Sequence, residues 1–196
     1  MKGLVFEKKT HTYRYKGELV AGVTSVLESA GLSDFSMVKK EHLEYAQQLG
    51  TAVHLAIEYN NKGLKFETEG IVQRYIDLWI KFKDHFQIEP IENELMVFSK
   101  KFMYAGTLDL LAKSPKIDGG KPFILDYKTG GESLANRVQM AAYEYAVKQD
   151  KRTSMSRFTL YLSENKYRLS EAYKDRKDFD VFLGALSVHN YRKGNK

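Results

Sequence analysis

The sequence contains no cysteine and only three prolines in 196 residues. The absence of cysteine excludes disulfide bonds, thiolate zinc sites and cysteine-held iron–sulfur clusters. Any bound metal must therefore be held by carboxylate, imidazole or carbonyl groups. These ligands favour hard divalent cations over soft metals.

Long apolar runs are also missing. Residues 1–10 mix lysines with apolar side chains, so we expect neither a signal peptide nor a membrane anchor, and we expect a cytoplasmic location. The length and the 43% hydrophobic content are typical of one globular unit spanning residues 1–196. The formal charge of +6 favours a polyanionic partner without naming one.

The N-terminal third predicts a hairpin followed by helix. Residues 4–18 alternate aromatic and polar side chains, and Lys16-Gly17 is typical of a hairpin turn. Residues 36–61 have helical composition, but we expect Gly50 to interrupt the helix and Thr51 to cap a new one. This interpretation puts His54 early on a helix.

The rest of the chain alternates between strand and helix periodicities. The predicted strands are 91–99, 102–113, 122–128 and 157–162. The predicted helices are 70–86, 132–147 and 174–191. This order predicts an α/β fold with a central mixed β-sheet flanked by α-helices and an N-terminal β-hairpin.

Asp126 and Lys128 stand at the end of an apolar strand pattern. Positions two apart on a strand point the same way, so the carboxylate and the ammonium share one face. An unpaired buried charge is costly, which calls for a partner or a metal. A simple solvent-exposed ion pair remains an alternative interpretation.

Asp109 raises the same question because it lies among leucines in a strand that should be buried. Gly106, three residues earlier, indicates a bulge or the close approach of another group. A carboxylate bonded only to backbone amides is the alternative. With Asp126, Asp109 would form an oxygen-rich Mg²⁺ or Mn²⁺ site suited to phosphodiester hydrolysis, in which Lys128 stabilises the developing negative charge.

Three other polar features fit this chemistry less specifically. His54 alone is more often a packed histidine than a metal ligand, but Glu58 lies one helical turn further on and could orient it. Gln139 and Tyr143 also share one helix face and could contact a nucleotide, although such residues are common on ordinary helix surfaces.

The order of these motifs resembles the RecB-like, phage-type exonuclease branch of the PD-(D/E)XK nuclease superfamily. The motifs that carry the resemblance are 50–54 (GTAVH), 106–109 (GTLD), 126–129 (DYKT) and 139–143 (QMAAY). The N-terminal hairpin leading to residues 23–27 is similar as well. Some relatives hold an iron–sulfur cluster with cysteines, which this chain cannot do, and many have Glu where this chain has Asp126.

The resemblance implies a restriction-endonuclease-like core and a set of site residues. It makes His54, Asp109, Asp126 and the backbone carbonyl of Tyr127 the metal ligands, and Lys128 the catalytic lysine. It also implies that Gln139 and Tyr143 contact DNA, and it leaves Glu58 and Glu94 as accessory acids.

The function implied is a Mg²⁺- or Mn²⁺-dependent deoxyribonuclease, an exonuclease of DNA recombination or repair in a bacterial or phage-infected cell. DNA is the expected partner, with a helicase or single-strand annealing protein and a homo-oligomeric assembly as further candidates. Two alternatives remain at this stage. One is a nuclease-fold module that binds DNA or a partner without cutting, and the other is an α/β protein whose acids are structural.

Overall fold

The computed structural model describes residues 3–33, 39–148 and 155–194. Its strands are β1 (Leu4–Glu7), β2 (Thr12–Tyr15), β3 (Glu18–Gly22), β4 (Glu89–Ser99), β5 (Tyr104–Lys113), β6 (Phe123–Lys128), β7 (Ser156–Leu162) and β8 (Tyr167–Leu169). Its helices are α1 (Val23–Ser29), α2 (Lys40–Asn61), α3 (Gly70–Phe86), α4 (Leu134–Lys148) and α5 (Lys177–Gly194).

The eight strands of the described residues form one mixed sheet. Seven follow the order β1-β2-β3-β5-β6-β7-β8, and β4 pairs with the edge of β5 that faces away from β3 and β6. The β3–β5 and β6–β7 pairs are parallel, and the others are antiparallel. The predicted central mixed sheet is confirmed. The predicted hairpin is also present, extended by a third strand, and Lys16-Gly17 forms the turn between β2 and β3.

The predicted flanking helices are present, and they cover both faces of the sheet. On one face α2 and α3 bury an apolar cluster that includes Val53, Ile57 and Trp79. On the other face α1, α4 and α5 bury a second cluster around Met140 and Phe182. Among the described residues, no helix is both long and apolar enough to cross a membrane.

Helix α2 corrects one prediction, because it runs through Gly50 without interruption. Thr51 is not an N-cap; its hydroxyl donates to the Gln47 carbonyl one turn earlier, at 2.9 Å. A glycine inside a helix costs only about 1 kcal/mol relative to alanine. The buried face of α2, with Val53 and Ile57, outweighs that cost. Residues 36–38 of the predicted helix lie outside the described residues.

The sheet opens into a fork at its centre. Strand β6 pairs with β5 from Ala112–Phe123 to Leu110–Leu125, and its last three residues continue alongside β7. Strand β3 pairs with the beginning of β5, at Tyr104 and Ala105. The stretch 106–109 of β5 therefore borders a gap between β3 and β6. Asp109 and Asp126 lie on the two arms of this fork.

A buried arginine fixes α4 and α5 to the sheet. The side chain of Arg157 on β7 is 3% exposed and lies 3.1 Å from Glu144 on α4 and 3.2 Å from Asp178 on α5. Its guanidinium also donates to the backbone carbonyls of Tyr173, Arg137 and Asp175. The five donors of a guanidinium suit this dense set of acceptors.

We expect Arg157→Ala to lower the free energy of unfolding by roughly 3–5 kcal/mol, because Glu144 and Asp178 each lose a buried cation and three backbone carbonyls lose a donor. Each acid keeps one other partner, Lys148 for Glu144 and Arg137 for Asp178. Arg74→Ala is the control. Arg74 pairs with Glu164 at 3.9 Å and both side chains are more than 60% exposed, so its loss should change stability by less than about 0.5 kcal/mol. Urea denaturation measures both. Equal losses in the two variants would contradict the role assigned to Arg157.

Candidate active site

A cleft of about 950 Å³ lies over the fork between β5 and β6. Helix α2 forms one side, α4 another, and the N-terminal hairpin a third. All eight side chains singled out in the sequence line this cleft: His54, Glu58, Glu94, Asp109, Asp126, Lys128, Gln139 and Tyr143. Residues up to 89 positions apart in the chain are thus brought to one place (54 to 143).

Asp109 bridges the two arms of the fork. Its Oδ2 accepts a 2.8 Å hydrogen bond from the backbone N–H of Tyr127, and its Oδ1 lies 3.5 Å from His54 Nδ1. Burial would raise the pKa of Asp109, but the charge and hydrogen bond of His54, the charge of Lys128 and the Tyr127 amide together lower it. Asp109 is therefore an anion in the folded protein.

His54 lies between two acceptors. Its Nε2 is 3.0 Å from the Tyr127 carbonyl oxygen, and because a carbonyl can only accept, Nε2 carries a proton. Burial would lower the pKa of His54, but the charge and hydrogen bond of Asp109 raise it to about 9. Glu58, which we expected to orient the imidazole, instead pairs with Lys62. Asp109 and Tyr127 orient it.

Asp126 and Lys128 form the predicted pair on one face of β6. Lys128 Nζ lies 2.7 Å from Asp126 Oδ2, with side-chain exposures of 27% and 2%. Burial, together with the charge of Asp109, raises the pKa of Asp126 to about 6 in spite of Lys128. The solvent-exposed ion pair considered from the sequence is wrong, because the carboxylate is buried.

Glu94 joins the cluster through an irregularity in β4. It faces Asp109, between the paired positions Asn93–Leu110 and Leu95–Leu108. Its backbone is left-handed, with φ of 49°, which is rare for a residue other than glycine and marks local strain. Burial, aided by the charge of Asp109, raises the pKa of Glu94 to about 7.

Strand β5 changes its pattern at the same level. Leu108 packs with the helices of one face and Leu110 with those of the other, although residues two apart on a regular strand share a face. The alternation therefore breaks at Asp109. Together with the left-handed Glu94 opposite, this break turns both carboxylates toward the cleft and His54.

The donor set fits a hard divalent cation. Ligand atoms of His54, Glu94 and Asp109 lie within 4.8 Å of one another, and the Tyr127 carbonyl oxygen is 3.0 Å from the imidazole. Asp126 lines the same cleft but is not one of these three; its carboxylate faces Lys128. The raised pKa of His54 and Glu94 indicates that this cluster of acids attracts positive charge.

Gln139 and Tyr143 belong to the floor of the cleft and not to an ordinary helix surface. Tyr143 is buried, and its hydroxyl accepts a 3.0 Å hydrogen bond from Gln139 Nε2. Its ring lies against Gly106, where an added Cβ would be 2.5 Å from the Tyr143 Cε1 atom. The close approach predicted at Gly106 is confirmed, and the approaching group is Tyr143.

Sequence reasoning missed Thr107 and Tyr13. Both line the cleft, and their hydroxyl groups share a 2.8 Å hydrogen bond that joins the hairpin to β5. Thr107 stands two residues before Asp109, so the alternation of β5 could have indicated it. No local signal indicates Tyr13, because its partner is 94 positions away.

The model of one protein family, the PD-(D/E)XK nuclease superfamily, matches residues 38–188 of the chain. The chain belongs to this superfamily. A search of curated proteins returns no match. The superfamily match includes His54, Glu94, Asp109, Asp126 and Lys128, and it begins after the N-terminal strands and α1.

Gly106→Ala tests the packing under the superfamily site. The new methyl group would collide with the Tyr143 ring, so we expect a loss of about 1–3 kcal/mol of stability and a displaced Gln139–Tyr143 pair. Gly184→Ala, in a helix with open space around the Cβ position, should be neutral or stabilising by up to about 1 kcal/mol. Thermal unfolding measures both effects.

The double variant Gly106→Ala with Tyr143→Ala separates the causes. If the collision with the ring is responsible, the double variant should lose less than the sum of the two single changes. Additive losses would show that the loss of stability in Gly106→Ala does not come from a collision with the Tyr143 ring.

The metal-free protein should become less stable between pH 5 and pH 8. A carboxylate whose pKa is raised, as that of Glu94 is to about 7, contributes stability below its ordinary pKa that is lost as the pH rises through the raised value. Asp126, with a pKa of about 6, acts with the same sign. His54, whose pKa is raised to about 9, likewise contributes stability that is lost as the pH rises toward 9.

In Glu94→Gln the free energy of unfolding should fall by about 1–2 kcal/mol less between pH 5 and pH 8; solvent screening makes this effect smaller than the full pKa shift implies. Urea denaturation in EDTA measures it. Glu89→Gln, on the exposed part of the same strand, serves as the control and should leave the dependence unchanged. A Glu94→Gln profile parallel to that of the unmodified protein would contradict the charge repulsion described here.

Proposed function

We propose that the protein is a Mg²⁺- or Mn²⁺-dependent deoxyribonuclease that hydrolyses phosphodiester bonds. The observation that carries the proposal is the convergence of two buried carboxylates, Asp109 and Asp126, with Lys128 and His54 in one cleft. Membership of the PD-(D/E)XK nuclease superfamily supports the same chemistry. The basic net charge of +6 agrees with a polyanionic substrate.

The metal ligands in this proposal are His54, Asp109, Asp126 and the Tyr127 carbonyl, with Glu94 as an accessory acid on the His54 side. When bound, a divalent cation supplies polarisation of the scissile phosphate and lowers the pKa of the attacking water. Both ring nitrogens of His54 face acceptors, so the imidazole would have to give up one proton to act as a ligand. Asp109, 3.5 Å from Nδ1, would orient the ring.

Lys128 is the catalytic lysine. The charges of Asp126 and Asp109 overcome the effect of burial and raise its pKa, so the ammonium stays protonated at neutral pH. It can donate hydrogen bonds to the attacking water and to a phosphate oxygen as negative charge develops there. Hydrolysis forms a bond from the water oxygen to phosphorus and breaks the bond to the leaving oxygen; the attacking water loses one proton to solvent, and the leaving oxygen takes one up.

Gln139 and Tyr143 hold the DNA next to the scissile phosphate. Both line the cleft beside Asp126 and Lys128, and the Gln139–Tyr143 hydrogen bond fixes their relative position. Glu58, paired with Lys62 at the cleft margin, is an accessory acid that acts on the local charge.

The motif order supports a RecB-like, phage-type exonuclease acting in DNA recombination or repair. In this proposal residues 1–196 form one nuclease domain, located in the cytoplasm of a bacterium or a phage-infected cell. A helicase or a single-strand annealing protein is the proposed partner class, and a homo-oligomer that encloses DNA is the proposed assembly.

A cleavage assay tests the proposal. The protein is incubated with labelled linear and circular DNA, single- and double-stranded, in Mg²⁺, Mn²⁺ or EDTA. We expect cleavage of linear DNA with either metal, resistance of circular DNA and no cleavage in EDTA. Lys128→Ala should slow cleavage by about 10²–10³-fold, and Asp109→Ala should abolish it.

Lys113→Ala is the matched control, since Lys113 lies on β5 with an exposed side chain paired to Glu89 at 2.9 Å. Its cleavage rate should equal that of the unmodified protein. Cleavage in EDTA, or a cleavage rate of Lys128→Ala equal to that of the unmodified protein, would overturn the mechanism. Metal-independent DNA binding without any cleavage would instead favour a non-cutting module.

A further inference from the structure

The N-terminal hairpin forms one side of the cleft with an aromatic ladder of Tyr13, Phe6 and His11. The ladder starts at Thr107, whose hydroxyl is 2.8 Å from that of Tyr13. The Phe6 ring centroid lies 4.7 Å from that of Tyr13 and 5.0 Å from that of His11. All three residues line the cleft. The rings thus lead outward from the acidic centre to the turn between β1 and β2, which carries His11.

The rings become more accessible with distance from the carboxylates. Tyr13 is buried, Phe6 is partly exposed and His11 is exposed. A ladder built only for packing would be covered at its outer end by other apolar groups. Here the outer end opens into the cleft, so the accessible ring surface is available to a ligand.

Apolar groups continue this surface on the neighbouring elements. Met96 on β4 is 42% exposed, and Leu55 on α2 is 46% exposed; both line the cleft. Met96 is the cross-strand partner of Thr107, so its side chain lies beside the start of the ladder. The cleft therefore changes from acidic at Asp109 to apolar beyond Thr107.

A positive charge lies at the end of the cleft away from the carboxylates. Lys8, in the turn between β1 and β2, is exposed and lines the same cleft. A ligand that spans the cleft would meet the metal-binding acids first, then an apolar and aromatic wall, and then a cation. This sequence of surfaces matches a polynucleotide strand, whose bases are flat and apolar on their faces and whose backbone is anionic.

We propose that Phe6, His11 and Met96 form a nucleobase-binding wall that holds unpaired bases of a DNA strand beside the scissile phosphate. The inference rests on the proposed nuclease function and specifies its substrate. Phe6 and His11 lie outside residues 38–188, the part of the chain that matches the superfamily, and Met96 lies within it.

A base-binding wall selects single-stranded DNA. In a duplex the bases are stacked inside and the outer surface presents sugars and phosphates, which gain nothing from an aromatic and thioether surface. In a single strand each base can leave its neighbours and stack on a ring, with little dependence on sequence. The enzyme therefore engages single-stranded ends or single-stranded overhangs.

Fluorescence anisotropy in EDTA, where cleavage is blocked, tests the wall with three labelled ligands of about twelve nucleotides: an oligothymidine strand, an abasic strand of the same length and a blunt duplex. The abasic strand keeps the phosphates and lacks the bases. We expect the oligothymidine to bind at least about tenfold more tightly than the abasic strand and than the duplex.

The variant with both Phe6→Leu and His11→Asn should bring the ratio of oligothymidine to abasic affinity close to one and leave abasic binding unchanged. Asparagine suits position 11 because the backbone there is left-handed, with φ of 52°. Leu19→Ala is the matched control: Leu19 is 42% exposed in the same N-terminal strands, away from the cleft lining, and its loss should change no affinity. Thermal unfolding checks that each variant is folded; if the double variant is not, His11→Asn alone is used.

Equal binding of the oligothymidine and abasic strands, tighter binding of the duplex, or an equal loss for all three ligands in the variant would each overturn the wall. A retained preference for bases with no cleavage in Mg²⁺ or Mn²⁺ would support the wall while the nuclease proposal fails. Metal-dependent cleavage without any preference for bases would support the nuclease proposal while the wall fails.

Discussion

The hydrogen bond from the Tyr127 backbone N–H to the Asp109 carboxylate is the interaction on which the site depends. Where β5 and β6 part, backbone groups of β6 lose the partners that an unbroken sheet would provide, and a buried amide without a partner is costly. The Asp109 side chain replaces one such partner. The fork is stabilised by the same carboxylate that lines the cleft, so the opening of the sheet and the acidity of the site have one cause.

The fork also explains how several acids can be kept together in a buried place. Asp109, Asp126 and Glu94 repel one another and lose hydration, which destabilises their ionised forms. Within the described residues, His54 and Lys128 balance part of this charge, and each has a pKa that the acids raise. A divalent cation would complete the balance. The candidate cation site is therefore a consequence of how the fold concentrates negative charge.

Parts of the structure far from the carboxylates set the shape of the cleft. The Arg157 contacts with Glu144 and Asp178 position α4, and α4 carries the Tyr143 ring that lies on Gly106. The Tyr13–Thr107 hydrogen bond positions the N-terminal hairpin against β5. The Arg157 contacts lie within the part of the chain that matches the superfamily, residues 38–188. The Tyr13–Thr107 hydrogen bond joins this part to the hairpin, which lies outside it. The hairpin and the matched region thus form the cleft together.

The sequence by itself determined most of the element order, the mixed sheet with flanking helices, and most of the polar side chains that meet in the cleft. These follow from periodicity and from short motifs, in which residues a few positions apart share a face. It named Glu94 as an accessory acid but could not show the left-handed backbone that turns this residue toward Asp109, nor the pairing of Tyr13 with Thr107. It was wrong about Gly50, because the packing of α2 outweighs a local helix-breaking tendency. Only the tertiary structure decided these points, since each depends on contacts between residues far apart in the chain.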